Sequence, residues 1–295
     1  MKIKTSISEN IFNVFNIIFL SLFTLLCLYP FYYVIIFSIS DPQLSAQGVT
    51  LLPRGITFFN YVSIFELRNI STAFFISVTR TIVGTVTALF CCSLFAYLVT
   101  KPMYFRKTIY RMFIFTMYIN AGLVPTFLVM RSYGLFDSFL IYILPGLLGA
   151  FNVILIKTYI EQLPRSVEES AEIDGAGFFT IYFKIMLPLS VPILATICVF
   201  VAVYQWNSWF DAHIYIMKRD LWPMQLVLYR YLMEAEAAAA RLQVSALDAG
   251  TGGTRITPVA VRMTITAVVT IPILLVYPIA QRYFTKGIMI GAVKG

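Results

Sequence analysis

From Ile11 to Phe37 the chain carries no charged side chain, and this run limits the fold more than any other feature. A helix of about 20 apolar residues crosses the roughly 30 Å of hydrocarbon in a bilayer. Inside that layer each backbone polar group must find its partner within the protein, which leaves the helix as the natural form for such a run. The run is too long for the apolar core of a signal peptide and no small-residue cleavage site follows it, so a retained span is expected. Five further stretches qualify, at about 71–99, 112–130, 139–156, 189–210 and 259–280, the first of them interrupted by Arg80. Composition agrees: of 295 residues, 59% are hydrophobic and 12% charged, where a soluble domain carries about a quarter charged. The expectation is an all-α integral membrane protein of six transmembrane helices, a single domain over residues 1–295.

Lys and Arg orient the spans, because cytoplasmic loops carry an excess of them. The link after the second span holds Lys101, Arg106, Lys107 and Arg111 and no acid, while Lys2, Lys4, Arg282, Lys286 and Lys294 mark the two ends. Both termini are then cytoplasmic, together with the loop at residues 164–188 that holds Arg165 and Lys184. The long segment 213–258 falls outside. Its length is more than a simple link needs, and Trp222 to Thr257 is expected to meet a partner there.

The usual chemistry is missing. Cys27, Cys91, Cys92 and Cys198 fall inside spans, His213 is the sole histidine, and no metal-ligand spacing is present. No GxxxxGK[ST] loop exists for a phosphate, and no catalytic set lies within the spans, so an enzyme is not expected. The formal charge of +8 is what membrane topology alone would give and offers no support for nucleic-acid binding.

The densest acidic cluster is "EESAEIDGAG", opening at Glu168, Glu169, Glu172 and Asp174. Ser166 stands three residues before Glu169, the capping-box spacing, so a helix over Val167–Asp174 is expected, with Gly175 as its left-handed terminator. At 100° per residue Val167, Ser170, Ala171 and Asp174 share one face. A second helix is expected over Phe178–Met186, before Pro188 and Pro192.

These residues carry a resemblance. Glu169-Ser170-Ala171, three residues, Gly175, nine residues and Ile185-Met186-Leu187-Pro188 resemble the EAA loop of ABC-importer permeases, with Ser170 in place of an alanine. The surrounding frame is similar to carbohydrate-uptake permeases of the maltose-permease type. The ending "RYFTKGIMIGAVKG" resembles their LplC-like branch. The resemblance implies a type I ABC-importer permease in a bacterial cytoplasmic membrane, with this loop as the coupling helix between spans four and five. It implies ATPase contacts at Val167, Glu168, Glu169, Ser170, Ala171, Asp174, Gly175, Ile185, Leu187 and Pro188. The implied partners are a second permease, two ATPase subunits that hold ATP and Mg, and an extracytoplasmic solute-binding protein. The implied cargo is an oligosaccharide, including an acidic one such as an alginate or other uronate chain; the alternatives are a permease for a non-sugar solute and, further off, a channel or membrane-embedded enzyme.

A substrate path is sought in "YQWNSWFD", where Tyr204, Trp206, Asn207, Trp209 and Asp211 set aromatic faces beside hydrogen-bonding groups. Such a mixture suits sugar rings, and it equally suits an aromatic belt at the membrane surface. Arg80 is expected to face the cavity, since intramembrane charges tend to face one or a partner, with snorkelling to the interface as the alternative.

Overall fold

The computed structural model describes residues 7–45, 48–49, 51–66, 70–119, 121–233 and 257–292. Within these, helices follow one another as α1 Ile7–Ser38, α2 Pro42–Ser45, α3 Phe59–Glu66, α4 Ile70–Leu98, α5 Arg106–Phe115, α6 Leu123–Ser132 and α7 Ala150–Gln162. Then come α8 Arg165–Ile173, α9 Phe178–Ile181, a wider π turn at Tyr182–Met186, α10 Leu187–Leu189, α11 Val191–Asn207 and α12 Phe210–Tyr215. Residues 224–233 form α13, and α14 spans Pro258–Ala292. The one strand-like pairing among the described residues is an isolated antiparallel bridge between Ser40 and Ile56.

Among the described residues two helices, Ser8–Ser38 and Ile70–Leu98, are each long and apolar enough to cross a membrane, and two bent pairs bring the number to as many as four. The expected third span is broken. α5 stops at Phe115 and α6 starts only after Gly122, whose φ of 78° no helix accepts. The expected fourth span opens as short 3₁₀ turns at Phe139–Tyr142 and Leu144–Gly146, bent by 46° from α7. Pro145, Gly146 and Gly149 lie at that bend and deprive a straight helix of its donors and stiffness. A sharper bend of 78° separates Phe178–Leu189 from α11, with Pro192 in the first turn of α11, where its missing N–H costs nothing. The 234–256 part of the outer segment, where a partner contact is expected, lies outside the described residues.

The chain forms two compact units. The first comprises Met1–Arg68 with Tyr231–Thr270, and the second Asn69–Arg230 with Ile271–Gly295. In the first, α1 presents its apolar side chains outward over most of its length and closes a small core of Ile36, Phe37, Val49 and Ala260. Asn60 fastens α3 to the end of α1 by donating to the Ser38 and Ser40 carbonyls at 2.9 and 2.8 Å.

In the second unit α4 lies against α7 and α11. Its buried positions Ala73, Ser77, Arg80, Gly84, Ala88, Cys92 and Ala96 recur every three or four residues, the period of one helix face. All but Arg80 are small. In lipid, where apolar burial gives helices little reason to associate, small residues let backbones approach and gain dispersion contact. Gly84 is the tightest point: a Cβ there would stand 2.5 Å from Gln205 Nε2. Two apolar clusters result. One surrounds Cys92, Tyr97, Ile156, Tyr182 and Ile197, and the other Tyr142, Ala212, Ile216 and Leu226. They sit toward opposite ends of α4, and each end carries a polar site.

Candidate functional site

At the Leu98 end the acidic segment folds as a short helix with a built terminator. Gly175 has φ 79°, the Ala176 N–H donates to the Ala171 carbonyl at 2.9 Å, and the Gly175 N–H to that of Glu172 at 3.0 Å. This is the Schellman arrangement, and it requires a residue that accepts positive φ. A Cβ at Gly175 would meet nothing within 4 Å, so glycine is needed for its backbone and not for space.

The start differs from expectation. Pro164 is the cap, α8 begins at Arg165, and no side chain caps it. Ser166 is thereby inside the helix, where its carbonyl accepts from the Ser170 hydroxyl at 2.8 Å, and the capping box does not form. The expected face is turned outward except at one residue. Ala171 packs against the protein's own core, together with Ala176, Phe178, Ile185 and Leu187. Val167, Ser170 and Asp174 of that face are exposed, as are Glu169, Pro188 and above all Ile173, 86% exposed. The second helix ends early: after Ile181 the backbone widens into the π turn. Pro188 has no N–H to give the Lys184 carbonyl four residues back, and a wider turn absorbs that loss.

Glu168 faces inward. It accepts from the Tyr97 hydroxyl at 2.6 Å and from Lys101 Nζ, while Lys101 also reaches Glu172 at 3.5 Å. Tyr97 is fully buried and stacks between Phe178, with centroids 4.9 Å apart, and Tyr182, at 5.5 Å. The Tyr182 hydroxyl shares a 2.8 Å hydrogen bond with Ser93.

Toward the other end of α4, Arg80 is 1% exposed. Its Nη2 donates to Asp211 Oδ2 at 2.6 Å and to Gln205 Oε1 at 3.1 Å, its Nη1 donates to the Ser208 carbonyl at 3.2 Å, and its plane lies 4.1 Å from the Tyr142 ring centroid. Gln205 completes the set by donating to the Tyr142 carbonyl at 3.0 Å. The physical reason is the helix break: α11 ends at Asn207, Ser208 is extended, and the carbonyls a helix terminus leaves unpaired need donors. Arg80 therefore does not offer a cation to an open path, contrary to expectation. Its charge is matched by Asp211 and its donors close the break.

The remaining aromatic segment divides. Tyr204 is 68% exposed, and Asn207 is exposed, accepting from Gln225 at 3.1 Å. Trp206 is buried, edge-on to Phe74, and Trp209 stacks on Tyr229 at 4.0 Å. Asp137, which carries φ 55°, ties this end together by accepting from the Met217 and Lys218 N–H groups at 2.6 and 3.0 Å. The Lys218 N–H, then the Met217 N–H and the Lys218 charge, hold its carboxyl below the usual range, against a smaller desolvation cost. Arg131, Lys218 and Arg219 are exposed. Among the described residues no group of His, Cys, Asp and Glu is arranged to hold a metal.

The family described as binding-protein-dependent transport system inner membrane component matches residues 93–290. Over 279 residues the sequence is 37% identical to the polygalacturonan/rhamnogalacturonan transport system permease protein YtcP of Bacillus subtilis, covering 94% of this chain and 96% of that one. Protein LplC of the same organism is 34% identical over 288 residues, covering 97% and 95%. Among solved structures, a chain from a bacterial ABC transporter involved in the import of the acidic polysaccharide alginate superposes with TM-score 0.84 at 32% identity, covering 96% of this chain and 100% of that one. A chain from a bacterial alginate ABC transporter in complex with alginate pentasaccharide-bound periplasmic protein gives 0.57 at 17%, covering 93% and 94%, a likeness of fold alone.

Proposed function

Because the chain belongs to the family of binding-protein-dependent transport system inner membrane components, we propose that it forms half of the pore through which an acidic oligosaccharide enters a bacterial cell. It is the non-catalytic permease subunit of an ABC importer for sugar chains, working with a second permease, two ATPase subunits and a solute-binding protein. The ATPase pair holds ATP and Mg, and this chain supplies the route and the coupling.

In this reading six spans cross the membrane with both termini in the cytoplasm, the broken third and fourth spans each counting as one. The loop 164–188 meets an ATPase. Its support is the fold of that loop: a short helix stopped by a left-handed Gly175, anchored inward through Glu168 and presenting Glu169 and Ile173 outward. The acidic character of the cargo is supported by relatives named for polygalacturonan/rhamnogalacturonan and alginate, chains that carry uronate groups. Arg80 lends it no support, since its charge is matched within the protein. Tyr204 and Asn207 are the path residues retained from "YQWNSWFD", being exposed, with Arg131 and Arg219 as cations near the mouth.

The test is transport by the complete importer in proteoliposomes. Uptake of short oligouronides should exceed uptake of the same chains with their carboxyl groups reduced to alcohols. Equal uptake of both would retain the permease and remove the acidic cargo.

A further inference from the structure

The docking loop could be joined to the spans merely as a flexible link, and the geometry at Tyr97 says otherwise. Tyr97 lies in the last turn of α4, fully buried, with its ring between Phe178 and Tyr182 and its hydroxyl on Glu168 of α8. Lys101, one turn further, closes on the same carboxylate from the solvent side, with its ammonium 5.0 Å from the Tyr97 ring centroid. One carboxylate and one ring therefore bind both halves of the loop, α8 and the segment after Gly177, to a single span. The ion pair alone would be a weak fastening. Its side chains are 19% and 22% exposed and a cavity of about 410 Å³ opens beside them, so water screens it. The hydrogen bond from a buried hydroxyl to a charged acceptor is the stronger member.

We propose that Tyr97 and Lys101 are positioning residues that fasten the docking helix to α4, so that ATPase closure moves this span instead of being absorbed in the loop. The far end of α4 is fixed just as closely: Arg80 grips Ser208 and Asp211 at the break after α11. A displacement delivered at Glu168 thus has a continuous route to the segment beside Trp209. This rests on the reading of loop 164–188 as the ATPase dock.

The test is made on the assembled importer in proteoliposomes, reading ATPase retention by pull-down, ATP hydrolysis and sugar uptake from the same vesicles. Tyr97→Phe keeps the ring stack and removes one charge-assisted hydrogen bond. Uptake per ATP should fall about tenfold while the ATPase stays bound. Lys101→Met should lower uptake per ATP less, Lys101→Arg should restore it, and the exchange Lys101→Glu with Glu168→Lys should recover part of it. A role in folding alone would change the amount of complex and not this ratio. Unchanged uptake per ATP in both Tyr97→Phe and Lys101→Met overturns the proposal. Gly175→Val in parallel separates the two ideas. If it loses the ATPase while Tyr97→Phe transports normally, only the fastening is wrong; if it keeps both ATPase and transport, the dock itself is wrong.

Discussion

Arg80 donates to a carboxylate, an amide oxygen and a backbone carbonyl from one guanidinium, so its removal takes a donor from three groups at once and leaves the Asp211 charge unmatched. Breaking a buried pair from one side costs about 3–5 kcal/mol, because the remaining charge is left without compensation. Arg80→Ala should accordingly lower the thermal midpoint of the purified importer, and Asp211→Asn in the same chain should return part of the loss. A midpoint unaffected by Arg80→Ala would mean that water replaces the guanidinium. Gly84→Ala probes the opposite error, overpacking. Its methyl would press on a Gln205 amide that Arg80 and the Tyr142 carbonyl already hold, so about 1–3 kcal/mol of destabilisation is expected, seen in the same melting curve. Asp137 responds to acid. Its folded pKa lies below the unfolded one, so its contribution is present above the unfolded value and is lost as pH falls through the depressed one. Cleavage of the 216–219 segment by an acid-stable protease should therefore rise only below the ordinary carboxylate range, and Asp137→Ala should give that sensitivity already at neutral pH.

At the scale of the element, α8 shows what could be read from sequence and what could not. Gly175 was legible, because an acidic helix followed by glycine has few other ways to end. The start was not. Pro164, with its fixed φ, sits ahead of the helix and moves the first turn two residues back, so Ser166 falls inside where a cap hydroxyl has no use. Which face meets the core was not legible either: Ala171 packs inward while Ile173 is left exposed, and that is decided by the neighbouring span and not by the helix's own pattern. The small-residue stripe of α4 was present in the sequence, whereas the partners of Arg80 stand 125 and 131 residues away and no local pattern reaches them. Two outcomes follow for α8. Gly175→Ala should cost about 1 kcal/mol through backbone strain alone, and Gly175→Asn less, because asparagine tolerates this conformation. Ile173→Asp should leave insertion unchanged and weaken ATPase capture about tenfold, the effect of losing one apolar anchor. Pull-down from membranes at graded ATPase concentration reads both.

For the whole molecule, the division of labour is itself a prediction: the purified chain should release no phosphate from ATP, and hydrolysis should appear only when the ATPase pair is added. Turnover by the chain alone would contradict its place as a permease. The 78° corner between Phe178–Leu189 and α11 bears on how such a subunit works with a partner's energy. At 1.5 Å per residue the segment before the corner measures about 18 Å and the 17 residues of α11 about 25 Å. The two arms form a bell crank. A push of about 1 Å at the Phe178 end, if the corner stays rigid, swings the Asn207 end by about 1.4 Å in a direction turned through nearly a right angle. A push directed along α11 at the Phe178 end thereby becomes sideways travel at the Asn207 end, with a mechanical ratio set by nothing more than where the chain places Pro188 and Pro192.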